Sequence, residues 1–321
     1  MSQQRRVTRR GVLAMGSGLA AAAVAGSVGT GTASASVPSS QRFDLTQPSY
    51  DLFRGKSLYQ GTVMQSFTFD NVNRRLFVAQ LRNGSGSDAA GDLCITQLDF
   101  AGNQIGHMFL NGFGHGVSIG VEPVGSTSYL WTEVDSVNAR GTRLARFPFT
   151  SGTTLDHASP VLDKHLPIAG VDTVTCATDP VNQRLVMRYR TGGAFRFAAY
   201  TIADVRAGNY SNRLADIAQP SGLGTFQGYA VYGEYVYMLD GDAYSGTNPP
   251  PGNAHVSSLN LNTGAFTRAV TNAGGSLSYR EPEGMAVYRT VAGETRLFLG
   301  MASGTTAGAR LANIFYKNVL I

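Results

Sequence analysis

The chain has few charged residues and few cysteines for its length of 321 residues. Only 15% of the residues are charged, and there are two cysteines and one tryptophan. The hydrophobic fraction of 43% excludes an intrinsically disordered chain, and two cysteines exclude a disulfide-dense scaffold. The five histidines lack the H-x-x-H and H-E-x-x-H spacings that are typical of zinc sites. We therefore expect no metal and no cofactor.

The net positive charge is small outside the first 35 residues. The whole chain has a net charge of +5, but residues 1–35 contribute four arginines and no acidic residue. The rest of the chain has 22 basic and 21 acidic side chains, which gives a net charge of +1. No run of lysine or arginine remains there, so the charge pattern of a nucleic-acid-binding protein is missing.

The first 35 residues resemble an export signal. Residues 8–13 read Thr-Arg-Arg-Gly-Val-Leu, like a twin-arginine motif, and residues 12–28 are apolar. Residues 33–35, Ala-Ser-Ala, fit a signal-peptidase site. We predict a cleaved twin-arginine (Tat) signal peptide over residues 1–35 and a secreted protein, extracellular or cell-wall associated, with no membrane contact after cleavage. The alternative is an uncleaved membrane anchor, which the short, glycine-interrupted apolar stretch disfavours.

The two cysteines, Cys94 and Cys176, lie in apolar, strand-like runs that are far apart in the sequence. Free cysteine commonly behaves as a small buried hydrophobic residue. A disulfide would require the two Cα atoms to come within about 7 Å. We therefore favour two free thiols over a disulfide.

An internal repeat of about fifty residues predicts the fold. Five similar segments begin at Gln65, Val117, Val174, Gln227 and Glu283, with spacings of 52, 57, 53 and 56 residues. Each segment continues through a turn into an apolar strand, and a second hairpin follows in the first four. Four strands per repeat of this length are typical of a β-propeller blade, and a β-sandwich would not repeat one order five times. We predict an all-β, five-bladed β-propeller over residues 43–321.

The two ends of this region predict how the ring closes. Residues 313–321 resemble a third blade strand with no fourth strand after it, and residues 43–59 are strand-like and otherwise unassigned. A ring has no open sheet edge only if one terminus completes the last blade. We therefore predict a propeller closed by an N-terminal strand that pairs near residues 315–320. Residues 36–42 are expected to be a flexible tether.

Two short motifs suggest chemistry that their context does not support. Ser118 stands in a G-x-S-x-G sequence, but no helix follows it as the nucleophile elbow of hydrolases requires. We interpret Ser118 as a small packing residue near the propeller axis. The Asp240-Gly241-Asp242 sequence lacks the closing glutamate of a calcium loop and is interpreted as a turn.

Polar residues gather where the innermost strands of the repeats should begin. Amide, carboxylate, imidazole and guanidinium groups in one place could bind the hydroxyls and phosphates of a glycan. The alternative is that these groups bond one another and water in the propeller channel. We assign no catalytic residue. The ligand-binding candidates are Gln65, His115, Gln227, Arg280, Glu281 and Glu283.

Three segments carry a resemblance to a known family. These are residues 65–67 (Gln-Ser-Phe), residues 112–116 (Gly-Phe-Gly-His-Gly) and residues 280–285 (Arg-Glu-Pro-Glu-Gly-Met). The sequence resembles the secreted proteins labelled teichoic acid biosynthesis protein C, which are grouped with receptor-binding propellers of phages and with helveticin-like bacteriocins. The resemblance covers residues 40–321. It implies a β-propeller that associates with wall teichoic acid or other surface glycans.

Three functions are compatible with these observations. The favoured one is a secreted, monomeric, lectin-like propeller that binds an anionic cell-wall glycan such as wall teichoic acid. A second is a hydrolase or lyase of such a glycan, with Glu281 and Glu283 as acid and base candidates and Asp172 from another blade facing them. A third is a bacteriocin-like antagonist that would share the binding chemistry.

Overall fold

The computed structural model describes residues 36–82 and 90–321. The predicted signal peptide, residues 1–35, lies outside the described residues. Within them the chain forms 21 β-strands and a single helix, α1 (Ile202–Ala207). The helix is six residues long, and Thr201 caps its N-terminus by accepting a hydrogen bond from the backbone N–H of Asp204 at its hydroxyl.

The strands form five separate sheets, and each sheet is one blade. From the innermost strand outward, blade 1 contains β2 (Met64–Asp70), β3 (Arg75–Leu81), β4 (Leu93–Leu98), β5 (Gln104–Asn111) and β9 (Thr154–Asp156). In the same order, blade 2 contains β6 (Gly120–Val124), β7 (Thr127–Val137), β8 (Arg140–Pro148) and β10 (Asp163–His165). Blade 3 contains β11 (Thr173–Asp179), β12 (Arg184–Thr191), β13 (Ala194–Thr201) and β14 (Ala215–Ala218). Blade 4 contains β15 (Phe226–Tyr232), β16 (Tyr235–Asp240), β17 (His255–Asn260) and β18 (Phe266–Val270). Blade 5 contains β19 (Glu281–Arg289), β20 (Thr295–Ser303), β21 (Leu311–Lys317) and β1 (Tyr50–Ser57). The prediction of an all-β, five-bladed β-propeller is confirmed.

The hairpin turns show why the repeat is visible in the sequence. In blade 1 the Asp70 carboxylate accepts hydrogen bonds from the backbone N–H groups of Val72 and Asn73. Asp179 in blade 3 makes the same two bonds, to Val181 and Asn182. An aspartate that bonds its own following backbone defines a tight turn, so the acid at the end of each of these inner strands is a turn residue.

The hydrophobic core lies between the blades. Five clusters of buried side chains are present in the described residues, and each is shared by two blades that are neighbours in the ring. For example, Trp131 of blade 2 packs with Cys176 and Met187 of blade 3. Cys94 and Cys176 are free and buried, as the apolar runs around them indicate.

The ring closes with the N-terminal strand, as predicted. Strand β1 pairs antiparallel with β21, with Tyr50 opposite Tyr316 and Ser57 opposite Leu311. An isolated bridge between Phe43 and Leu320 extends the closure. The last blade is therefore built from both ends of the described chain, and its outer edge is filled.

Residues 36–42 are docked on the propeller, which corrects the expectation of a flexible tether. Val37 is 1% exposed and packs in the cluster between blades 3 and 4. Its backbone N–H and C=O both bond the side-chain amide of Asn262. Ser40 exchanges hydrogen bonds with Glu234. The prediction was wrong because it relied on the polar composition of residues 36–42. One buried valine and a few backbone hydrogen bonds are enough to order such a segment.

Two strands differ from the repeat pattern. The inner strand of blade 2 begins at Gly120 and not at Val117. The preceding residues form a loop in which Gly112, Gly114 and Gly116 have positive φ angles. The segment directly after Gly152 forms β9, which pairs in parallel with β5 of blade 1, and the chain returns to blade 2 only at β10.

Candidate functional site

We call the end of the propeller where the five inner strands begin the top face. At this end the second strand of each blade terminates and the loops between blades cross. Just below it, the axis is closed by small residues. The hydroxyls of Ser66 and Thr175 donate to the backbone carbonyls of Gly116 and Ser118, and Ser118 donates to the carbonyl of Tyr229. The predicted packing role of Ser118 is confirmed.

Two glycines complete this closure. A Cβ atom on Gly228 would lie 2.8 Å from the Cα atom of Gly284 and 3.0 Å from the carbonyl oxygen of Val117. A Cβ atom on Gly284 would lie 2.6 Å from the Cα atom of Ser66. Backbones from blades 1, 2, 4 and 5 therefore touch near the axis. A ligand on the top face meets a floor and not an open channel.

Three of the predicted site residues lie partly exposed on the top face. Gln65 and Gln227 stand at the second position of β2 and β15, and His115 lies in the loop before β6. The side-chain amide of Gln227 donates to the carbonyl of Gly241 at 2.9 Å. The structure therefore brings these three residues to one end of the molecule, as the repeat predicted.

Arg280 is at the same end but is enclosed, which corrects its assignment as the cation that would meet a ligand. Its side chain is 0% exposed. Nε and Nη2 donate to the carbonyls of Ala273 and Thr271 at 2.9 and 2.7 Å, and the guanidinium packs on the ring of Tyr244. Arg280 thus holds two top-face loops together, and burial lowers its pKa.

Glu281 and Glu283 stand two residues apart at the start of β19. Burial raises the pKa of both, and the charge of Glu281 further raises that of Glu283. The Tyr279 side chain acts on Glu281 and opposes the rise of its pKa, and the guanidinium of Arg310 lies 3.4 Å from the centroid of the Tyr279 ring. Among the described residues, no hydrogen bond joins Glu283 to Arg280.

A cavity of about 310 Å³ opens between blades 2, 3 and 4 near these residues, and sequence reasoning missed it. We call it the arginine pocket. It is lined by Val117, Glu133, Arg140, Thr173, Val174, Thr175, Arg188, Arg190, Phe195, Thr225 and Phe226. Its position on the top face follows from the pairing of Arg190 with Thr173, the first residue of β11. Phe226 is likewise the first residue of β15.

Arg188 is the most unusual residue of the arginine pocket. Its guanidinium lies between two aromatic rings, 3.6 Å from the centroid of Phe195 and 3.8 Å from that of Phe226. The residue is 7% exposed, and Nε donates to the side-chain oxygen of Gln219 at 2.7 Å. Among the described residues, Nη1 and Nη2 have no hydrogen-bond partner. Burial lowers the pKa of Arg188 to about 9, so the side chain remains charged at neutral pH.

The other charges of the arginine pocket leave an excess of positive charge. Arg190 forms an exposed ion pair with Asp172, with 2.8 Å between Nε and Oδ1. Glu133 is 1% exposed and accepts hydrogen bonds from the backbone N–H groups of Gly116 and Gly141 at 2.8 and 2.6 Å. Burial raises the pKa of Glu133 despite these bonds. Three guanidinium groups thus face at most two carboxylates.

The sequence did contain one signal for this pocket. Arg188 and Arg190 alternate on β12, so their side chains leave the same face of the strand. A search for consecutive basic residues overlooks this pattern. Arg140 joins them from β8 of the neighbouring blade, and only the fold shows that proximity.

The remaining motifs have structural roles. The Asp240 carboxylate accepts hydrogen bonds from the backbone of Gly224 and from Arg268, and Asp242 bonds Thr225 and Asn253. Within residues 36–82 and 90–321, no group of three or more His, Cys, Asp or Glu residues is arranged to hold a metal ion. The same part of the chain contains no helix with the length and apolar character needed to cross a membrane.

Comparisons with known proteins connect this geometry to a family. The family model of the phage 5-bladed beta propeller receptor binding platform domain matches residues 63–316. A Bacillus subtilis (strain 168) protein, provisionally named major teichoic acid biosynthesis protein C, is 32% identical over 295 residues. That alignment covers 87% of this chain and 65% of the relative, so the chain spans less than two thirds of its length.

A solved structure agrees with the assignment of the fold. The tail fiber of Staphylococcus aureus phage P68 superposes with a TM-score of 0.66 at 20% sequence identity. The superposition covers 87% of this chain and 52% of the tail fiber chain. At this identity the similarity concerns the fold alone, and the matched family model extends over the inner strands of all five blades. The chain belongs to the family of phage five-bladed β-propeller receptor-binding platform domains.

Proposed function

We propose that this protein binds an anionic cell-surface glycan, such as a polyol-phosphate polymer of the teichoic acid type, in the arginine pocket of its top face. The observation that carries the proposal is the state of Arg188. It is a buried cation with two amino groups that have no partner among the described residues, and it opens onto a cavity. Burial of a charge is costly unless the charge is paired and hydrogen-bonded.

The pocket chemistry suits a phosphate diester. A guanidinium presents parallel N–H groups that match two oxygens of one phosphate, and such charge-assisted bonds contribute about 1.5–3 kcal/mol. Phe195 and Phe226 fix the plane of the Arg188 guanidinium before the ligand arrives. Threonine side chains at Thr173 and Thr225 line the same cavity and can bond polyol or sugar hydroxyls.

Family membership supports the same function. The matched family is described as a receptor-binding platform, and the Bacillus subtilis relative is named for teichoic acid biosynthesis. The predicted Tat signal peptide would deliver the folded propeller to the outside of the cell, where such polymers are found. We accordingly propose a secreted, monomeric, cell-wall-associated protein.

A second candidate function is hydrolysis or elimination on the same polymer. The observation that favours it is the acidic pair Glu281 and Glu283, in which burial raises the pKa of Glu283 well above its usual range. A carboxylic acid with a raised pKa can act as a general acid. Asp172, which this hypothesis places opposite the pair, is held instead by Arg190.

The proposal is tested with purified cell walls from a Gram-positive bacterium, used before and after chemical extraction of their anionic polymer. We expect residues 36–321 to be retained by intact walls and to pass through extracted walls, with no fragments released from either. Equal retention by both wall preparations would contradict the proposal. Release of phosphate-containing fragments from intact walls would establish the enzyme instead.

A further inference from the structure

The acidic pair on β19 contains a buried carboxyl group, that of Glu283. Glu283 is 4% exposed, and its carboxyl group accepts no hydrogen bond from the described residues. Glu281, its neighbour on the same strand, is half-buried, and the side chain of Tyr279 lowers its pKa. A buried acid without a donor is uncommon in folded proteins, because it loses its hydration without compensation.

The surroundings of this pair are negative. Asp242, from the loop after β16, acts on Glu281 as an additional negative charge. Its own side chain is bonded by Thr225 and Asn253. Among the described residues, the cation that acts on Glu281 is Arg310, whose guanidinium stacks on the Tyr279 ring. No basic side chain of the described residues forms an ion pair with Glu281 or Glu283 within 4 Å, since the pairs that do form involve other acids.

The pair is close to the arginine pocket. Arg188 stacks on Phe226, the first residue of β15, and Gly228 on the same strand touches Gly284 of blade 5. Glu283 is the residue before Gly284. A single inner strand therefore separates Arg188 of blade 3 from Glu283 of blade 5, and both belong to the top face.

We propose that Glu283, together with Glu281, binds an ammonium group carried by the polymer, so that the protein prefers aminoacyl-substituted polyol-phosphate chains over unsubstituted ones. This inference rests on the proposed function, because the phosphate of the same chain would occupy the arginine pocket. An ammonium group offers three N–H donors on a compact charge, which suits two carboxyl groups and the Tyr279 hydroxyl, and its positive charge favours the ionised form of Glu283. A divalent metal is disfavoured, since no cluster of three acidic or metal-ligating side chains is present in the part of the chain that the structure describes.

The test compares poly(glycerol phosphate) carrying alanyl esters with the same preparation after mild base has removed the esters. Binding of both is measured by calorimetry at pH 6, where the esters are stable. We expect residues 36–321 to bind the aminoacylated polymer at least about fivefold more tightly. Glu283→Gln should abolish this preference, so that the two polymers bind the variant with affinities within about twofold of each other. Glu294→Gln, at a half-buried acid on the β19–β20 turn at the opposite end of the propeller, is the matched control and should keep the preference.

The outcomes separate this inference from the proposed function. Failure of the wild-type protein to bind either polymer would overturn both. Equal binding of the two polymers, or a preference that survives in Glu283→Gln, would overturn this inference alone. Because Glu283 is buried, Glu281→Gln is measured as a second variant on a more exposed residue, and it should also reduce the preference. An unchanged preference in a folded Glu281→Gln variant would count against the acidic pair.

Discussion

Gly228 shows how tightly single residues are constrained near the axis. Its φ angle of +134° lies in a region that L-residues with a Cβ rarely adopt, and a Cβ there would meet the backbone of Gly284. We expect Gly228→Ala to lower the free energy of unfolding by about 2–4 kcal/mol. Gly246→Ala is the control, since no heavy atom of the described residues lies within 4 Å of its added Cβ, and it should change stability by less than about 0.5 kcal/mol. Urea unfolding measures both, and similar values for the two variants would contradict a closed axis.

Arg280 is a second residue that stabilises the structure, although the sequence predicted it as a ligand-binding residue. Its hydrogen bonds to the carbonyls of Thr271 and Ala273 are buried, so their loss leaves two acceptors without donors. We expect Arg280→Met to lower the free energy of unfolding by about 2 kcal/mol or more. Arg289→Met, at an exposed arginine at the far end of β19, should have little effect. A fully stable Arg280→Met protein with weakened polymer binding would restore the ligand role that the sequence predicted.

Glu283 makes stability depend on pH. Its pKa in the folded protein is raised by burial and by Glu281, with Tyr279 as a further neighbour, whereas the unfolded value is near 4.5. The folded state therefore holds this proton more tightly, and its contribution to stability is lost as the pH rises from 4.5 through the folded pKa. Glu283→Gln removes that loss. We expect the melting temperature of the variant minus that of the wild type to be larger at pH 8 than at pH 5, and an equal difference at both would contradict the raised pKa.

Among the structural elements, the N-terminal segment is the one whose removal should affect folding most. Residues 36–42 place Val37 in the cluster between blades 3 and 4, and β1 then fills the edge of blade 5. Deleting residues 36–42 should lower the melting temperature by several degrees while the protein stays soluble, because one buried side chain and its backbone bonds are lost. Deleting residues 36–57 should cause aggregation, because it uncovers β21. A soluble, equally stable product of the longer deletion would show that the ring closes without β1.

Local turn chemistry explains why the elements could be predicted from the sequence. Asp70 and Asp179 end inner strands with the same backbone bonds, so the first hairpin turn of blades 1 and 3 follows from local sequence. The loop before Gly120 and the transfer of β9 to blade 1 were not predictable, since both depend on contacts between blades. From the repeat alone, Gln65, His115 and Gln227 could be predicted to lie on one face of the propeller. The repeat could not show that Arg280 is enclosed or that Arg140 meets Arg188 across a blade interface.

The charge distribution of the whole molecule indicates that the proposed glycan-binding site is confined to the top face. Residues 36–321 have a net charge of only +1, so general attraction to an anionic polymer is weak. The arginine pocket concentrates positive charge on blades 2, 3 and 4, and the acidic pair lies beside it on blade 5. Affinity should therefore depend on a small number of top-face residues and not on basic residues elsewhere.

The affinity of the Arg188→Met variant for poly(glycerol phosphate) tests this account most directly. Methionine keeps an unbranched side chain between Phe195 and Phe226 and removes the unpaired cation. We predict that Arg188→Met weakens binding by about ten- to a hundredfold, while Arg289→Met at the opposite end leaves the affinity unchanged. If Arg188→Met binds the polymer as tightly as the wild type, or if both variants lose affinity equally, the arginine pocket is not the binding site.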